Sequence, residues 1–258
     1  MMAKRVTSVF FSPSGATEKI VSMFSARISN NVHSINLLTE IIHDEIQFRP
    51  DDIVVIALPV FFGRIPSVCV NMLKNMKGNK TPLIALAVYG NRAYEDALLE
   101  LTDILEANSF IITAAGALIA QHSIFPQIAS GRPDQSDTDK IKEFAEKCTA
   151  ILEYGEIGSV PIPGNTPYRS VHSLLFHPYT DHRCIHCCAC ATNCPVSAIS
   201  KENPRVTDKK ACINCTSCIH VCPVNARKYH GLKYEISRNR LKKICTPRRE
   251  PEFFYSAK

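Results

Sequence analysis

The chain has 258 residues, 45% of them apolar and 21% charged, with 10 Gly and 16 Pro. That composition excludes a disordered chain, and no apolar run reaches the roughly 18 to 20 residues that a membrane-spanning helix needs. The formal charge of +6 is unevenly divided: residues 1–153 carry 14 Lys+Arg against 17 Asp+Glu, whereas 154–258 carry 16 against 7.

In chain order, Val6–Phe11 opens with a short apolar run that predicts a strand, and no small-residue cleavage site follows it, so a cytoplasmic location is expected. Thr17–Ile28 has apolar residues at helical spacing. His33–Leu38 is a weaker strand, Ile53–Leu58 a strong one, and Ser67–Met76 a helix. Leu83–Val88 and Phe110–Leu118 are further strands, separated by a helix over Tyr94–Ala107 and followed by one over Asp137–Leu152. Short runs rich in Val, Ile and Ala suit parallel strands buried on both faces. Five of them alternating with helices predict an α/β fold with a doubly wound five-stranded parallel sheet over residues 1–153.

Residues 154–181 contain Gly155, Gly158, Pro161, Pro163, Gly164, Pro167 and Pro178, which sustain neither helix nor central strand. They predict a linker or a wrapping arm, and a second domain then fills 182–258.

Nine of the twelve cysteines lie between Cys184 and Cys222, in two copies of one pattern offset by 28 residues. The copies are Cys184-x2-Cys187-x2-Cys190-x3-Cys194-Pro195 and Cys212-x2-Cys215-x2-Cys218-x3-Cys222-Pro223. This is the bacterial-type [4Fe–4S] spacing, in which the fourth Cys serves the other cluster. It predicts one metal site from Cys184, Cys187, Cys190 and Cys222, and another from Cys212, Cys215, Cys218 and Cys194. Structural zinc uses paired C-x2-C elements and needs neither the third Cys nor the Cys-Pro, and disulfides suit an oxidising compartment that nothing in the sequence indicates. Cys69, Cys148, Cys188 and Cys245 fall outside the pattern and are expected to pack, with Cys245 in the basic tail also a candidate reactive thiol. Residues 182–228 resemble a bacterial two-cluster ferredoxin, which implies a small α+β domain passing single electrons between two [4Fe–4S] clusters. Oxidised clusters contribute about −2 each with their thiolates and so offset part of the local positive charge. The remaining excess, at Arg238, Arg240, Lys242, Lys243, Arg248 and Arg249, reads as a solvated face rather than a nucleic-acid surface.

Ligands of doubly wound sheets bind at the carboxyl ends of the strands. After the first strand, Ser12, Pro13, Ser14, Gly15, Ala16 and Thr17 bring hydroxyls and N–H groups to a helix start, which suits a phosphate but equally a capped helix. Aromatics occupy the loops Pro59-Val60-Phe61-Phe62-Gly63 and Tyr89-Gly90-Asn91-Arg92. Two such loops suit a flat ring, though aromatics also serve packing. These three segments resemble flavodoxin. The resemblance implies that Ser12, Ser14, Gly15, Ala16 and Thr17 hold an FMN phosphate, and that Pro59, Val60, Phe61, Phe62 and Gly63 with Tyr89, Gly90, Asn91 and Arg92 flank the flavin. Pro13 removes one N–H from the first loop and the chain has no Trp, so a looser hold on FMN is implied than in a free flavodoxin.

The whole chain thus resembles the flavodoxin–ferredoxin fusion proteins of strict anaerobes. FMN takes one or two electrons and each cluster one, so the expected function is electron transfer between FMN and two clusters, with redox partner proteins outside the chain. Arg64 and Arg92 are candidates to stabilise reduced flavin. Two other readings stay open: a flavin-dependent reductase of a small molecule, and an iron–sulfur redox sensor. No hydrolytic triad is apparent, and His182 and His186 are expected to pack or hydrogen-bond rather than ligate.

Overall fold

The computed structural model describes residues 5–154, 158–171 and 174–256. Of the stretch read as a linker, residues 155–157 (with Gly155) and 172–173 lie outside the described residues.

Five strands run parallel: β1 (Val6–Phe10), β2 (Val32–Asn36), β4 (Ile53–Pro59), β6 (Thr81–Tyr89) and β7 (Phe110–Ile119). Two short strands, β3 (Ile46–Gln47) and β5 (Met76–Lys77), form a separate parallel pair. The spatial order β2-β1-β4-β6-β7 is the flavodoxin-like 2-1-3-4-5, with its switch point between β1 and β4. The helices are α1 (Ala16–Ile28), α2 (Ser67–Lys74), α3 (Ala97–Ala107) and α4 (Gln135–Tyr154).

Strand alternation sorts the apolar residues onto two faces. On β4, Val54, Ile56 and Leu58 join the core under α2 and α3, while Ile53, Val55 and Ala57 join the one under α1 and α4. Both faces are covered, which is why these strands read as continuous apolar runs. Cys69 and Cys148 are buried, one in each core, where desolvation pushes their thiols up.

The sheet has six strands rather than five. The sixth is β10 (Glu252–Tyr255), which pairs antiparallel with β7 at the edge, Phe253 opposite Gly116. Phe253 stacks on Phe144 of α4 with centroids 4.4 Å apart, and a side chain on Gly116 would crowd both rings. The tail therefore covers an edge that would otherwise expose unpaired backbone.

The second region holds a short antiparallel pair, β8 (Tyr179–Thr180) and β9 (Arg227–Lys228), and two single-turn helices, α5 (Ala189–Thr192) and α6 (Ser217–His220). A longer helix, α7 (Leu232–Ile244), follows. The two regions meet along a seam. Phe125 and Ile128, from the loop after β7, pack with Phe176 and Cys245 beside Tyr229, Tyr234 and Leu241. Cys245, expected as a candidate reactive thiol, is buried there, and desolvation pushes its thiol up.

The basic tail is docked through its backbone, while Arg240, Lys242, Lys243, Arg248 and Arg249 remain exposed. Asn91 Nδ2 donates to the carbonyls of Cys245 (2.9 Å) and Pro247 (3.0 Å), and its Oδ1 accepts from the Arg249 N–H (3.0 Å). Arg132, paired with Asp137, donates to the Arg249 carbonyl, and Arg248 pairs with Asp134. The Pro-rich stretch is an arm along α3: Val160 and Ile162 pack on the sheet core, and Asp96 accepts from the N–H groups of Asn165 (2.9 Å) and Arg169 (2.7 Å).

Candidate functional site

The 28-residue repeat reappears in the backbone. His186 and Asn214 both have φ near 56°, Ser197 and Asn225 both near 50°, and Cys188 and Thr216 precede their single-turn helices with φ of 59° and 72°. The residues on either side of the second Cys of each copy therefore turn left-handed and swing the chain round, an excursion that costs a non-glycine residue energy and persists where surroundings enforce it. Matching bonds follow: the Ala198 N–H donates to Cys194 Sγ and the Ala226 N–H to Cys222 Sγ, each at 3.2 Å.

Two small voids result. One is lined by Cys194, Cys212, Cys215 and Cys218, with Thr216 and Pro178 among the other walls. The other is lined by Cys184, Cys187, Cys190 and Cys222, with Cys188, Thr180 and Arg227. The structure thus gathers each expected quartet, including the exchanged fourth cysteine, around a separate void. Cys188 sits at the second void's wall with its Sγ toward the carbonyls of His186 and Lys201.

These walls fit an iron–sulfur group. Burial pushes the Cys215 thiol up to about 12 and Cys218 to about 11, and a metal centre beside them would stabilise the thiolates that burial disfavours. Thr216 Oγ1 faces one void, and Thr180 Oγ1 and Arg227 Nε stand at the other; all three are buried and have no hydrogen-bond partner. Buried donors are rarely left unpaired, and sulfide would accept from them. Arg227 is 2% exposed, with its Nη1 on the Pro204 carbonyl (2.8 Å) and 3.8 Å from Cys190 Sγ. A buried guanidinium needs negative charge beside it, which a thiolate-ligated cluster carries. Among the described residues no three His, Cys, Asp or Glu side chains converge as they would round a single metal ion.

A larger cleft of about 380 Å³ lies at the seam. Its walls include Val60, Phe61, Phe62 and Gly63 after β4, and Tyr89, Gly90 and Arg92 after β6. The first of these loops is a two-residue hairpin turn: the Phe61 N–H donates to the Arg64 carbonyl and the Arg64 N–H to the Phe61 carbonyl, with φ of 57° at Phe62 and 82° at Gly63. Two consecutive positive φ values define a turn that favours Asn-Gly, so a Phe at its first corner is held under strain and presented to the cleft. Burial pushes the Tyr89 hydroxyl up to about 12.

Sequence reasoning missed the walls supplied by Arg169 with Leu174 and by Ile213 with Asn214, and two more besides. His122, Ser123, Ile124 and Phe125 after β7 form one. His122 Nδ1 accepts from the Ile124 N–H (3.2 Å) and Phe125 N–H (3.4 Å), which leaves the ring's proton on Nε2. Desolvation, then the charge of Arg92, lowers its pKa to about 4, so the ring is neutral. Its ring also lies against Gly90, where a side chain would approach it to 2.8 Å. The other wall is one face of α7, with Ser237, Arg240, Leu241 and Ile244. That face follows helical spacing, a signal present in the sequence.

Several expected flavin residues stand elsewhere. Pro59 and Asn91 do not line the cleft; Asn91 faces the tail. Arg64 is bound by Glu100 at 2.6 Å through two nitrogens and stacks over Tyr168, so it supports the arm rather than a ligand. Arg92 lines the cleft while paired with Glu95. The Ser12–Thr17 loop is also outside the cleft walls, and Ser12 Oγ caps α1 by accepting from the Glu18 N–H at 2.9 Å. Gly15, with φ of 80°, has open space where a side chain would sit.

Residues 205–228 match the 4Fe-4S binding domain family. Among solved structures, the chain is similar to a short-chain flavodoxin associated with a non-canonical PDU bacterial microcompartment: 12% identity, TM-score 0.44, 60% of this chain and 100% of that one. It is similar to the flavodoxin of Streptococcus pneumoniae TIGR4 at 14% identity and a TM-score of 0.41, over 56% and 97% of the two chains. A Fusobacterium nucleatum flavodoxin bound to flavin mononucleotide aligns at 11% identity and a TM-score of 0.40, over 56% and 96%. No curated protein matches the chain. The strand order and the matched cysteine region define the class of this molecule: a flavodoxin-like α/β sheet joined to a 4Fe-4S binding domain, with features that support a redox role.

Proposed function

We propose that this protein transfers electrons between FMN, held in the seam cleft, and two [4Fe–4S] clusters held by the two cysteine quartets, serving separate redox partner proteins. The carrying observation is that each void is walled by one complete quartet. When bound, FMN exchanges one or two electrons and each cluster one.

The chain's own residues supply position and electrostatics. Phe61, Phe62 and Tyr89 offer flat apolar surface to a ring, and His122 offers its Nε2 proton. The α1 start, with the open space at Gly15, is the proposed seat of the phosphate, through the N–H groups of Ser14, Ala16 and Thr17, while the Gly15 N–H donates to the Ser12 carbonyl. Arg240 places positive charge on the cleft wall, where Arg92 and Arg169 are paired with Glu95, and this charge favours a reduced, anionic ligand. The N–H groups of Ala198 and Ala226 and the Arg227 guanidinium hold negative charge on sulfur.

The test is to purify the protein without oxygen and quantify flavin, iron and labile sulfide released by acid. About one FMN and about eight iron per chain are expected. Full iron with no FMN, persisting after incubation with FMN, would overturn the cleft assignment, and about four iron would overturn the two-cluster count.

A further inference from the structure

The internal repeat allows the two cysteine sites to be compared position by position. Ile185 corresponds to Ile213, and His186 to Asn214, with the same backbone turn in each copy. Their surroundings differ. Ile185 is 62% exposed, and His186 and Cys187 are exposed beside it, whereas Asn214 is 5% and Cys215 9% exposed. The cover in the second copy comes from the seam: Tyr229 donates to Asn214 Oδ1 at 3.1 Å and stacks on Tyr234, which stacks in turn on Phe125 of the sheet region.

Ile213 and Asn214 line both the cleft and the void of Cys194, Cys212, Cys215 and Cys218. The other void shares no lining residue with the cleft. The partition between cleft and nearer void is thus one stretch of chain two residues long.

Resting on the function proposed above, we infer that the two cluster sites are inequivalent: Cys194, Cys212, Cys215 and Cys218 form an inner site across the Ile213–Asn214 partition from the flavin, and Cys184, Cys187, Cys190 and Cys222 form an outer site open to an external carrier at Cys187. The exchange is one electron at a time. The flavin is oxidised by one electron as the inner cluster core is reduced from 2+ to 1+, and the inner core returns to 2+ as the outer one takes that electron. No protein bond forms or breaks, and a proton shed by the flavin passes to water in the cleft. The reverse flow uses the same order.

The arrangement is read by accessibility. The full chain, loaded with both clusters, is exposed without oxygen to bathophenanthroline disulfonate, with and without saturating FMN, and iron release is followed by absorbance. Two phases are expected: a fast one from the outer site that ignores FMN, and a slow one from the inner site that FMN slows several-fold. Variants Cys187→Ala and Cys215→Ala, with iron counted first, assign them, FMN protecting the cluster left in Cys187→Ala and not the one left in Cys215→Ala. Protection of both clusters, of the outer one alone, or of neither while FMN is bound would overturn the inference. Where a variant loses both clusters, Ile213→Ala decides, because thinning the partition must speed the slow phase alone; an unchanged slow phase sinks the arrangement. FMN binding is measured on the same samples by equilibrium dialysis. Its absence defeats the cleft assignment and leaves Ile213→Ala to judge the order of the sites.

Discussion

The sheet region and the cysteine region are held together by different means. In the first, two cores on opposite faces of one sheet bury long runs of Val, Ile, Leu and Phe, many of them fully inaccessible to solvent. In the second, the buried cluster is Cys190, Ala191, Ile199 and Cys218, half of it cysteine. A core that small does not offset the conformational entropy of a chain with so many left-handed turns, so the second region needs a bound group and a neighbour. The lesson is that one polypeptide combines a part that folds by burying side chains with a part that folds by what it holds and what it leans on.

Removing iron should break this comparison most sharply. Metal binding energy is folding energy where no site exists in the unfolded chain. Chelation without oxygen is expected to abolish hydrogen-exchange protection across residues 184–228 and leave β1, β4 and β6 protected; loss of protection in both regions together would show that the sheet also depends on the clusters.

Phe144→Ala strikes the other region. Its ring is fully buried against Phe24, Phe253 and Tyr255, so truncation should cost about 3–5 kcal/mol in denaturant unfolding. Cluster absorbance should be unchanged under native conditions, because the cavity forms on the face opposite α2 and α3.

A smaller effect probes the seam. His122 is held neutral with a pKa of about 4, while the unfolded ring titrates near its ordinary 6.5. A lowered folded pKa means that the stabilisation is present above pH 6.5 and is lost as pH falls toward 4, where the unfolded state takes up the proton first. Between pH 7 and 5 the loss should be no more than about 2 kcal/mol, reduced by water in the cleft. Ring resonances of His122 should not titrate above pH 5; titration near 6.5 would show a solvated, loosely held loop.

Much of this was legible from particular residues. The two quartets were expected from local spacing, three thiols two residues apart and a fourth before a Pro, and the cysteines of each expected set line one void. The parallel strands followed from apolar runs, and the loops after β4 and β6 from their place at strand ends. Asn91 was misassigned because loop position says that a residue lies near the site but not which way its side chain points. The Ser12 loop reads alike as anion site or cap, and Ser12 caps its own helix.

The sequence by itself determined the class of fold and the repeat, since both depend on periodicity or on neighbours within a few tens of residues. Only the tertiary structure decided that Phe253 closes the sheet edge, that His122 and α7 wall the cleft, and that Asn214 is covered where His186 is open. Those outcomes depend on contacts between segments more than 100 residues apart, such as Asn91 with Cys245, or on which of two equivalent surfaces a neighbour covers. Local pattern carries no record of that choice; packing makes it.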